Sequence, residues 1–175
     1  MPRNRRSNDY PPLLSAISFR SGALSVGLMG ALAEAALAEG GEVVGVMPKA
    51  LLEKEIGHGG LTDLRVVGSM HERKKLMSDL SDGFVALPGG YGTLEDLEVL
   101  SWAQLSYHEK PCALLDVGGF FAPLRGLFDR AVEEGFVHPD HRALALAGED
   151  PAGLLDAMGR YSPPQTKKWV SPGDR

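Results

Sequence analysis

The stretch "FVALPGGYGTLEDLEVL", Phe84–Leu100, carries the pattern that decides the fold class of this chain. A short apolar run leads into a glycine-rich turn, and apolar residues at helical spacing follow the turn. Strand, tight turn and helix in this order form the repeating unit of parallel α/β sheets.

The same alternation continues on both sides of this stretch. Strand-like runs are "EVVGVMP", "LRVV", "GFVALP", "PCALLDV" and "ALALAG", and the helix-like segments between and around them are "SVGLMGALAEAALAEGG", "KALLEKEI", "HERKKLMSDLS", "TLEDLEVLSWAQL", "FFAPLRGLFDRAVEEG" and "PAGLLDAMGR". The sequence therefore predicts an α/β fold, a parallel sheet with helices on both faces.

Composition limits the classes of protein to be considered. The chain has 175 residues, 43% of them hydrophobic and 23% charged, which suits one globular domain. The formal net charge of -5 makes a nucleic-acid polymer an improbable partner, although a small anion remains possible. No apolar run reaches the roughly 20 residues of a membrane span. The single cysteine, Cys112, lies in an apolar run, so we interpret it as a core thiol of a cytoplasmic protein rather than as a nucleophile.

The chain divides into three parts by composition. Residues 1–24 hold four arginines and a Pro-Pro pair without steady periodicity and are predicted to be a poorly ordered lead-in. Residues 25–160 carry the strand and helix alternation and form the predicted domain. Residues 161–175 are proline-rich and are expected to be a loose tail.

The turn "PGGYGT", Pro88–Thr93, is the first candidate binding element. Gly89, Gly90 and Gly92 permit close backbone approach and unusual φ values, and Thr93 can cap the following helix. Free N–H groups at a helix start suit a phosphate, whereas the alternative is a turn that needs glycine for its geometry alone. Neither G-x-G-x-x-G nor a lysine after the last glycine is present, which favours a mononucleotide or a sugar phosphate over a dinucleotide.

A basic cluster at the start of another predicted helix is the second candidate. "GSMHERKKLM" supplies four basic residues: His71, Arg73, Lys74 and Lys75. Cations oppose the macrodipole at a helix N-terminus, so a bound phosphate shared with the glycine turn would explain them. The alternative is an exposed basic face paired with Glu72 and Asp79.

Carboxylates near a sugar phosphate suggest cleavage of an N-glycosidic bond. The reaction builds positive charge on the sugar ring, which a fixed carboxylate stabilises while it orients or deprotonates water. Glu95 and Asp96 are placed for this role, or they are ordinary acids of a helix start. Glu55 and His58 fit a solvated helix end and a surface turn. We predict no catalytic metal, because no spacing of His, Cys and carboxylate residues resembles a metal site. Ser101 lies in a predicted helix without a nucleophile elbow, so a serine hydrolase has little support.

Together, "MHERK" and "PGGYGT" resemble the signature of the LOG ("Lonely guy") family, cytokinin riboside 5'-monophosphate phosphoribohydrolases once labelled lysine decarboxylases. The likeness runs from about Ser25 to Met158 and includes "SVGLMG", "WAQL" and "GGFFAPL". The resemblance implies a Rossmann-like homodimer that releases adenine-type bases from nucleoside 5'-monophosphates without a cofactor. The older label has no chemical support, since nothing identifies a Schiff-base lysine.

The resemblance also implies site residues by position. Arg73 matches the catalytic arginine and Asp96 the catalytic carboxylate of PGGxGTxxE. The implied substrate contacts are Glu55, Met70, His71, Lys74, Gly89, Gly90, Tyr91, Gly92, Thr93, Glu95 and Ser101.

Three departures from the family pattern keep other functions open. Asp96 is one methylene shorter than the family's glutamate, and the stretch from Thr93 to Trp102 is one residue shorter than usual. The first βαβ unit is incomplete, because "FRSGAL" stands where the family has a strand, a loop and a glycine-rich segment. The competing hypotheses are a non-catalytic nucleotide-binding homologue and a binding protein similar to molybdenum cofactor carriers.

Overall fold

The computed structural model describes residues 28–52 and 60–164. The predicted lead-in, most of the predicted tail, Glu55 and His58 lie outside these ranges. The described residues divide into two compact units, one ending at Ser81 and one beginning at Asp82. Within the described ranges, no helix combines the length and the hydropathy that crossing a membrane requires.

The described residues of the first unit form two strands and three helices: α1 (Leu28–Ala38), β1 (Val44–Pro48), α2 (Lys49–Leu52), β2 (Asp63–Val67) and α3 (Met70–Leu80). β1 and β2 are parallel, with Val44 opposite Asp63 and Pro48 opposite Val67. The run "EVVGVMP" was predicted as a buried strand, and β1 is buried along nearly its whole length.

Packing around β1 explains its small and apolar residues. Ala33, Val43 and Met47 form a buried cluster against which leucines of α1 and α2 pack. A Cβ on Gly45 would lie 2.6 Å from a methyl carbon of Leu61, so the Leu61 side chain packs directly against the glycine. The pattern of apolar residues therefore determines both the strand and its contacts.

Up to residue 164, the second unit has three strands and five α-helices: β3 (Phe84–Ala86), α4 (Tyr91–Asp96), α5 (Glu98–Gln104), β4 (Cys112–Leu115), α6 (Ala122–Glu133), α7 (Pro139–Arg142), β5 (Ala145–Gly148) and α8 (Pro151–Gly159). The strands form a parallel sheet in the order β3-β4-β5. α8 packs against β4 and β5.

The centre of this sheet confirms the interpretation of Cys112. The residue is buried on the central strand β4, and burial raises the pKa of its thiol to about 12. A thiol with so high a pKa is a poor nucleophile at neutral pH, because the thiolate is the reactive form.

The predicted fold class is confirmed, since parallel sheets alternate with helices along the chain. Within the described ranges, the parallel strands lie in a two-stranded sheet of the first unit and a three-stranded sheet of the second. Strand pairing depends on tertiary contacts that local periodicity does not encode. The short helix α7 and a 3₁₀ turn at Val117–Gly119 were not predicted.

The prediction of one continuous helix from Thr93 to Leu105 is wrong. Two helices, α4 and α5, meet at Leu97, whose ψ of -5° departs from the α-helical value. The Leu97 N–H still donates to the Thr93 carbonyl oxygen at 3.2 Å, but the Leu100 N–H donates to the Leu97 carbonyl oxygen, only three residues back. The change from four-residue to three-residue hydrogen bonding interrupts the helix at Leu97.

Candidate active site

A side-chain capping arrangement fixes the start of α3 and the position of its basic residues. The Ser69 hydroxyl accepts a hydrogen bond from the Glu72 N–H at 3.2 Å, and the Glu72 carboxylate accepts one from the Gly68 N–H at 2.7 Å. These bonds satisfy two backbone donors, as in a capping box. Glu72 is thereby engaged with the backbone at the start of the helix.

The basic cluster separates into residues with different surroundings. Lys75 is exposed and forms an ion pair with Asp79, with an N–O distance of 2.7 Å. Arg73 is only 1% exposed, and Lys74 is partly buried. The exposed-face alternative is therefore correct for Lys75 and wrong for Arg73. A buried guanidinium is a costly feature that ordinary surface solvation does not explain.

The two other predicted contacts on α3 lie at its first turn. Met70 is the first helical residue and is partly buried, whereas His71 is exposed. Both residues, like Arg73 and Lys74, belong to the first unit. The glycine turn and the carboxylates belong to the second.

The glycine turn begins its helix earlier than predicted. Gly90 is the N-cap of α4, without a side-chain cap, and the helix starts at Tyr91. The expectation that Thr93 caps the helix is wrong, because Thr93 lies inside it. The Thr93 hydroxyl instead donates a hydrogen bond to the Leu87 carbonyl oxygen at 3.1 Å. This bond joins the helix to the end of the strand segment.

The glycines of the turn differ in their surroundings. A Cβ on Gly89 would lie 2.5 Å from the Thr93 hydroxyl oxygen, so the turn itself excludes a side chain there. A Cβ on Gly90 would meet nothing within 4 Å. Neither these two nor Gly92 is among the described residues with positive φ, so the unusual φ values that we expected are not used. The open space at Gly90 leaves its backbone accessible to a ligand.

Tyr91 and the two predicted carboxylates belong to the same short helix, α4. Tyr91 is 90% exposed, Glu95 is partly buried and Asp96 is the last residue of α4. α4 ends at Asp96, and Leu97 separates it from α5.

Glu95 and Ser101 share a cavity of about 550 Å³ in the second unit. Leucines dominate its wall, and α4, α5, α6 and α7 contribute to it. Its lining residues are Leu94, Glu95, Leu97, Glu98, Leu100, Ser101, Gln104, Leu124, Phe128, Val137, His141, Arg142, Leu144 and Ala145. The structure thus brings together two predicted contacts, Glu95 and Ser101.

Two residues that line the cavity were not predicted from the sequence. His141 is buried, and desolvation followed by the charge of His138 lowers its pKa, while Asp140 opposes the shift. The Arg142 Nε donates a hydrogen bond to Asp129 at 2.6 Å. The sequence signal available was "HPDHR", where a proline begins a short helix that carries both side chains.

Among the described residues, no group of three or more His, Cys, Asp or Glu side chains is arranged to hold a metal ion. The chemistry available in the described part consists of a glycine turn, a buried arginine, a partly buried lysine and carboxylates on α4 and α5.

Comparison with known proteins places these features in a family. The model of the family described as "Possible lysine decarboxylase" matches residues 29–158. The match covers both units and includes the basic cluster and the glycine turn.

Curated relatives are similar over most of the chain. The chain is 47% identical over 148 residues to "Probable cytokinin riboside 5'-monophosphate phosphoribohydrolase LOGL2" of Oryza sativa subsp. japonica. The aligned region covers 84% of this chain and 60% of the relative. It is 43% identical over 140 residues to "Cytokinin riboside 5'-monophosphate phosphoribohydrolase LOG3" of Arabidopsis thaliana, covering 79% and 65%.

A bacterial protein gives a similar result. The chain is 47% identical over 139 residues to "Cytokinin riboside 5'-monophosphate phosphoribohydrolase" of Rhodococcoides fascians, covering 78% of this chain and 70% of that protein. The chain spans only about 60% of the length of the rice relatives LOGL2 and LOGL9, with 60% and 62% covered.

Proposed function

The chain belongs to the LOG family, whose family model bears the description "Possible lysine decarboxylase", and on that premise we propose that it is a nucleoside 5'-monophosphate phosphoribohydrolase. The substrate class is an adenine-type nucleoside 5'-monophosphate, including cytokinin ribotides. Water cleaves the bond between the base and ribose C1', its hydroxyl joins C1' and its proton goes to the base. The products are the free base and ribose 5-phosphate.

The glycine turn is the observation that carries this proposal. The Thr93 bond to Leu87 holds the turn against the strand end, and the space beside Gly90 is open. We assign the 5'-phosphate to the backbone of Gly89, Gly90 and Gly92, since exposed N–H groups at such a turn are suited to phosphate oxygens.

Cationic and acidic side chains complete the proposed chemistry. Arg73 and Lys74 supply positive charge for the substrate, and the buried position of Arg73 reduces its screening by water. Asp96 stabilises the ribosyl cation and orients water. Glu55, Met70, His71, Tyr91, Glu95 and Ser101 remain proposed substrate contacts.

The position of Asp96 favours a second candidate function, a non-catalytic nucleotide-binding protein. Asp96 ends α4, and the interruption at Leu97 separates it from α5. A carboxylate with a shorter side chain beside a helix break can miss the reacting carbon, and a displacement of about 1 Å can lower a rate about a hundredfold.

The deciding experiment incubates the purified chain with AMP and with isopentenyladenosine 5'-monophosphate and follows free base by chromatography. Base release from either substrate supports the phosphoribohydrolase. Binding of the nucleotides by calorimetry without any base release supports the non-catalytic candidate instead. Pyridoxal phosphate with lysine serves as the control reaction for the older family label, and we expect no carbon dioxide from it.

We also propose that the protein is cytoplasmic and assembles as a homodimer through the second unit. Leu94 and Leu127 are 54% and 61% exposed, and exposed apolar side chains beside a leucine-lined cavity are typical of protein interfaces. Leu127→Lys should lower the mass measured by light scattering from dimer to monomer. Leu64→Lys, on β2 of the first unit, is the matched control and should leave the dimer intact.

A further inference from the structure

A buried carboxylate follows the central strand of the second unit. Asp116 comes directly after β4 and is 3% exposed. Its Oδ1 accepts a hydrogen bond from the Phe121 N–H at 2.7 Å, and its Oδ2 accepts one from Arg125 at 3.2 Å. Burying a carboxylate is costly unless it is paired and hydrogen-bonded, and here both oxygens have partners.

Asp116 stabilises the turn that follows β4 through both its side chain and its backbone. Its side chain holds the Phe121 N–H, and its carbonyl oxygen accepts a hydrogen bond from the Gly119 N–H at 3.4 Å. Within the turn, Gly118 and Gly119 have φ values of 62° and 73°, which L side chains rarely adopt. A Cβ on either glycine would meet nothing within 4 Å, so the turn's conformation, rather than crowding, requires glycine.

The turn after β4 and the glycine turn after β3 follow neighbouring strands. β3 and β4 are parallel neighbours, with Ala86 opposite Leu114, so the segments that follow them leave the same edge of the sheet. Adjacent strands are about 4.8 Å apart, and ligands of parallel sheets bind beyond the carboxyl ends of the strands. Within the second unit, β4 is the neighbour of β3 among the described strands. A nucleotide held by its phosphate after β3 is long enough to reach the segment after β4.

The turn presents apolar surface at this edge. Val117 and Phe120 are 56% and 49% exposed, although the Phe120 ring contacts the buried Phe121 ring edge to face at a centroid distance of 5.1 Å. One side of the Phe120 ring is thus supported by protein while half of its surface remains open. An aromatic ring held in this way offers a stacking surface for a base.

Building on the proposed function, we propose that the turn from Val117 to Phe120 is a second wall of the substrate site that contacts the nucleoside part of the nucleotide. Phe120 makes the contact, and Asp116 is a positioning residue that holds the turn in place. Asp116 acts through backbone and Arg125 and has no part in bond cleavage.

The first test separates positioning from stability. Asp116→Ala should raise KM for AMP about tenfold and change kcat by less than about twofold, because ground-state and transition-state binding are lost equally. Asp116→Asn retains one acceptor for the Phe121 N–H and should recover most of the affinity. Leu154→Ala, a buried change on α8, is the stability control and should lower Tm without changing KM. Equal KM changes in the Ala variants of Asp116 and Leu154 would overturn the proposal.

The second test addresses the contact residue. Phe120→Ala should raise KM for AMP about tenfold, in line with the loss of one base stack. Phe136→Ala removes another exposed ring, 77% exposed and beyond the end of α6, and should leave KM unchanged. An unchanged KM in Phe120→Ala would overturn the assignment of the wall.

The two proposals fail in distinguishable ways. If the wild-type chain releases no base, phosphoribohydrolase activity is wrong, and the wall is tested on the Kd for AMP measured by calorimetry. Asp116→Ala and Phe120→Ala should then weaken binding while Leu154→Ala and Phe136→Ala do not. If AMP does not bind the wild-type chain, or if all four variants bind it equally, the wall is wrong.

Discussion

The Thr93 hydroxyl donates a hydrogen bond to the Leu87 carbonyl oxygen at 3.1 Å, and this bond joins the start of α4 to the end of the β3 segment. It passes so close to Gly89 that a Cβ there would lie 2.5 Å from the hydroxyl oxygen. Thr93 therefore stabilises the turn from within, while the backbone of Gly90 has open space beside it.

Two glycine variants should separate the fold of the turn from its binding function. Gly89→Ala should lower Tm by several degrees, corresponding to about 1–3 kcal/mol, because the added methyl group displaces the Thr93 hydroxyl. Gly90→Ala should change Tm little, since its φ of -91° suits an L residue and its Cβ meets open space.

The affinity for AMP should distinguish the two glycine variants in the opposite way from Tm. Gly90→Ala should weaken AMP binding about tenfold or more, because the methyl group occupies the space assigned to phosphate. Calorimetry and thermal melts on both variants provide the measurement. Unchanged AMP affinity in Gly90→Ala would show that the turn binds no phosphate.

Replacing residues of the basic cluster should have unequal effects on stability. Lys75→Ala removes an exposed ion pair with Asp79 and should cost about 0.5 kcal/mol or less of unfolding free energy. Arg73→Ala removes a large side chain that is only 1% exposed and should cost about 3 kcal/mol, because truncating a buried side chain leaves a cavity. Urea unfolding measures both values. Equal costs would contradict the separation of the cluster into a buried and a solvated part.

The length of the carboxylate at position 96 should affect turnover more than binding. Asp96→Asn should lower kcat at least a hundredfold with little change in KM, because charge at this position is needed only when the ribosyl cation develops. Asp96→Glu should raise kcat if the shorter side chain is a defect. An active Asp96→Asn variant would assign the catalytic carboxylate elsewhere, and Glu95→Gln is the companion variant that tests the neighbouring acid.

Stability should fall as the solution becomes acidic. Desolvation lowers the pKa of His108 below 6.5, with a further decrease from Lys110 that a hydrogen bond to Val99 opposes, and the pKa of His141 is also lowered. A lowered pKa means that the unfolded state binds protons more readily, so unfolding free energy is lost as pH falls from about 6.5. Tm should decrease between about pH 7.5 and about pH 5, and His108→Gln should show a smaller decrease.

The exposed His71 provides the control for this pH dependence. His71→Gln should keep the wild-type slope of Tm against pH. A wild-type slope in His108→Gln as well would assign the acid sensitivity to other groups.

The buried thiol should report global unfolding. Cys112 is 3% exposed and its pKa is about 12, so a thiol reagent at neutral pH should modify it only after unfolding. Its modification rate in the native protein should rise with urea concentration in parallel with the unfolded fraction. Rapid modification of the folded protein would show that β4 opens locally.

Local sequence signals were sufficient for most helices and strands. The apolar run before Pro48 forms β1, and Ser69 in "SMHE" caps the start of α3. Burial of apolar residues and capping bonds act over a few residues, so both features follow from local sequence. The interruption at Leu97 was not predicted, since the residues on both sides have good helical spacing and the break appears only in backbone hydrogen bonding.

The sequence by itself determined the parallel α/β class, the glycine turn and the family, because these depend on periodicity and on residues at fixed spacing. Only the tertiary structure decided that Arg73 is buried while Lys75 is paired at the surface, and that Asp116 holds the turn after β4. Burial and strand pairing arise from contacts between residues far apart in the chain, and no local pattern specifies those contacts.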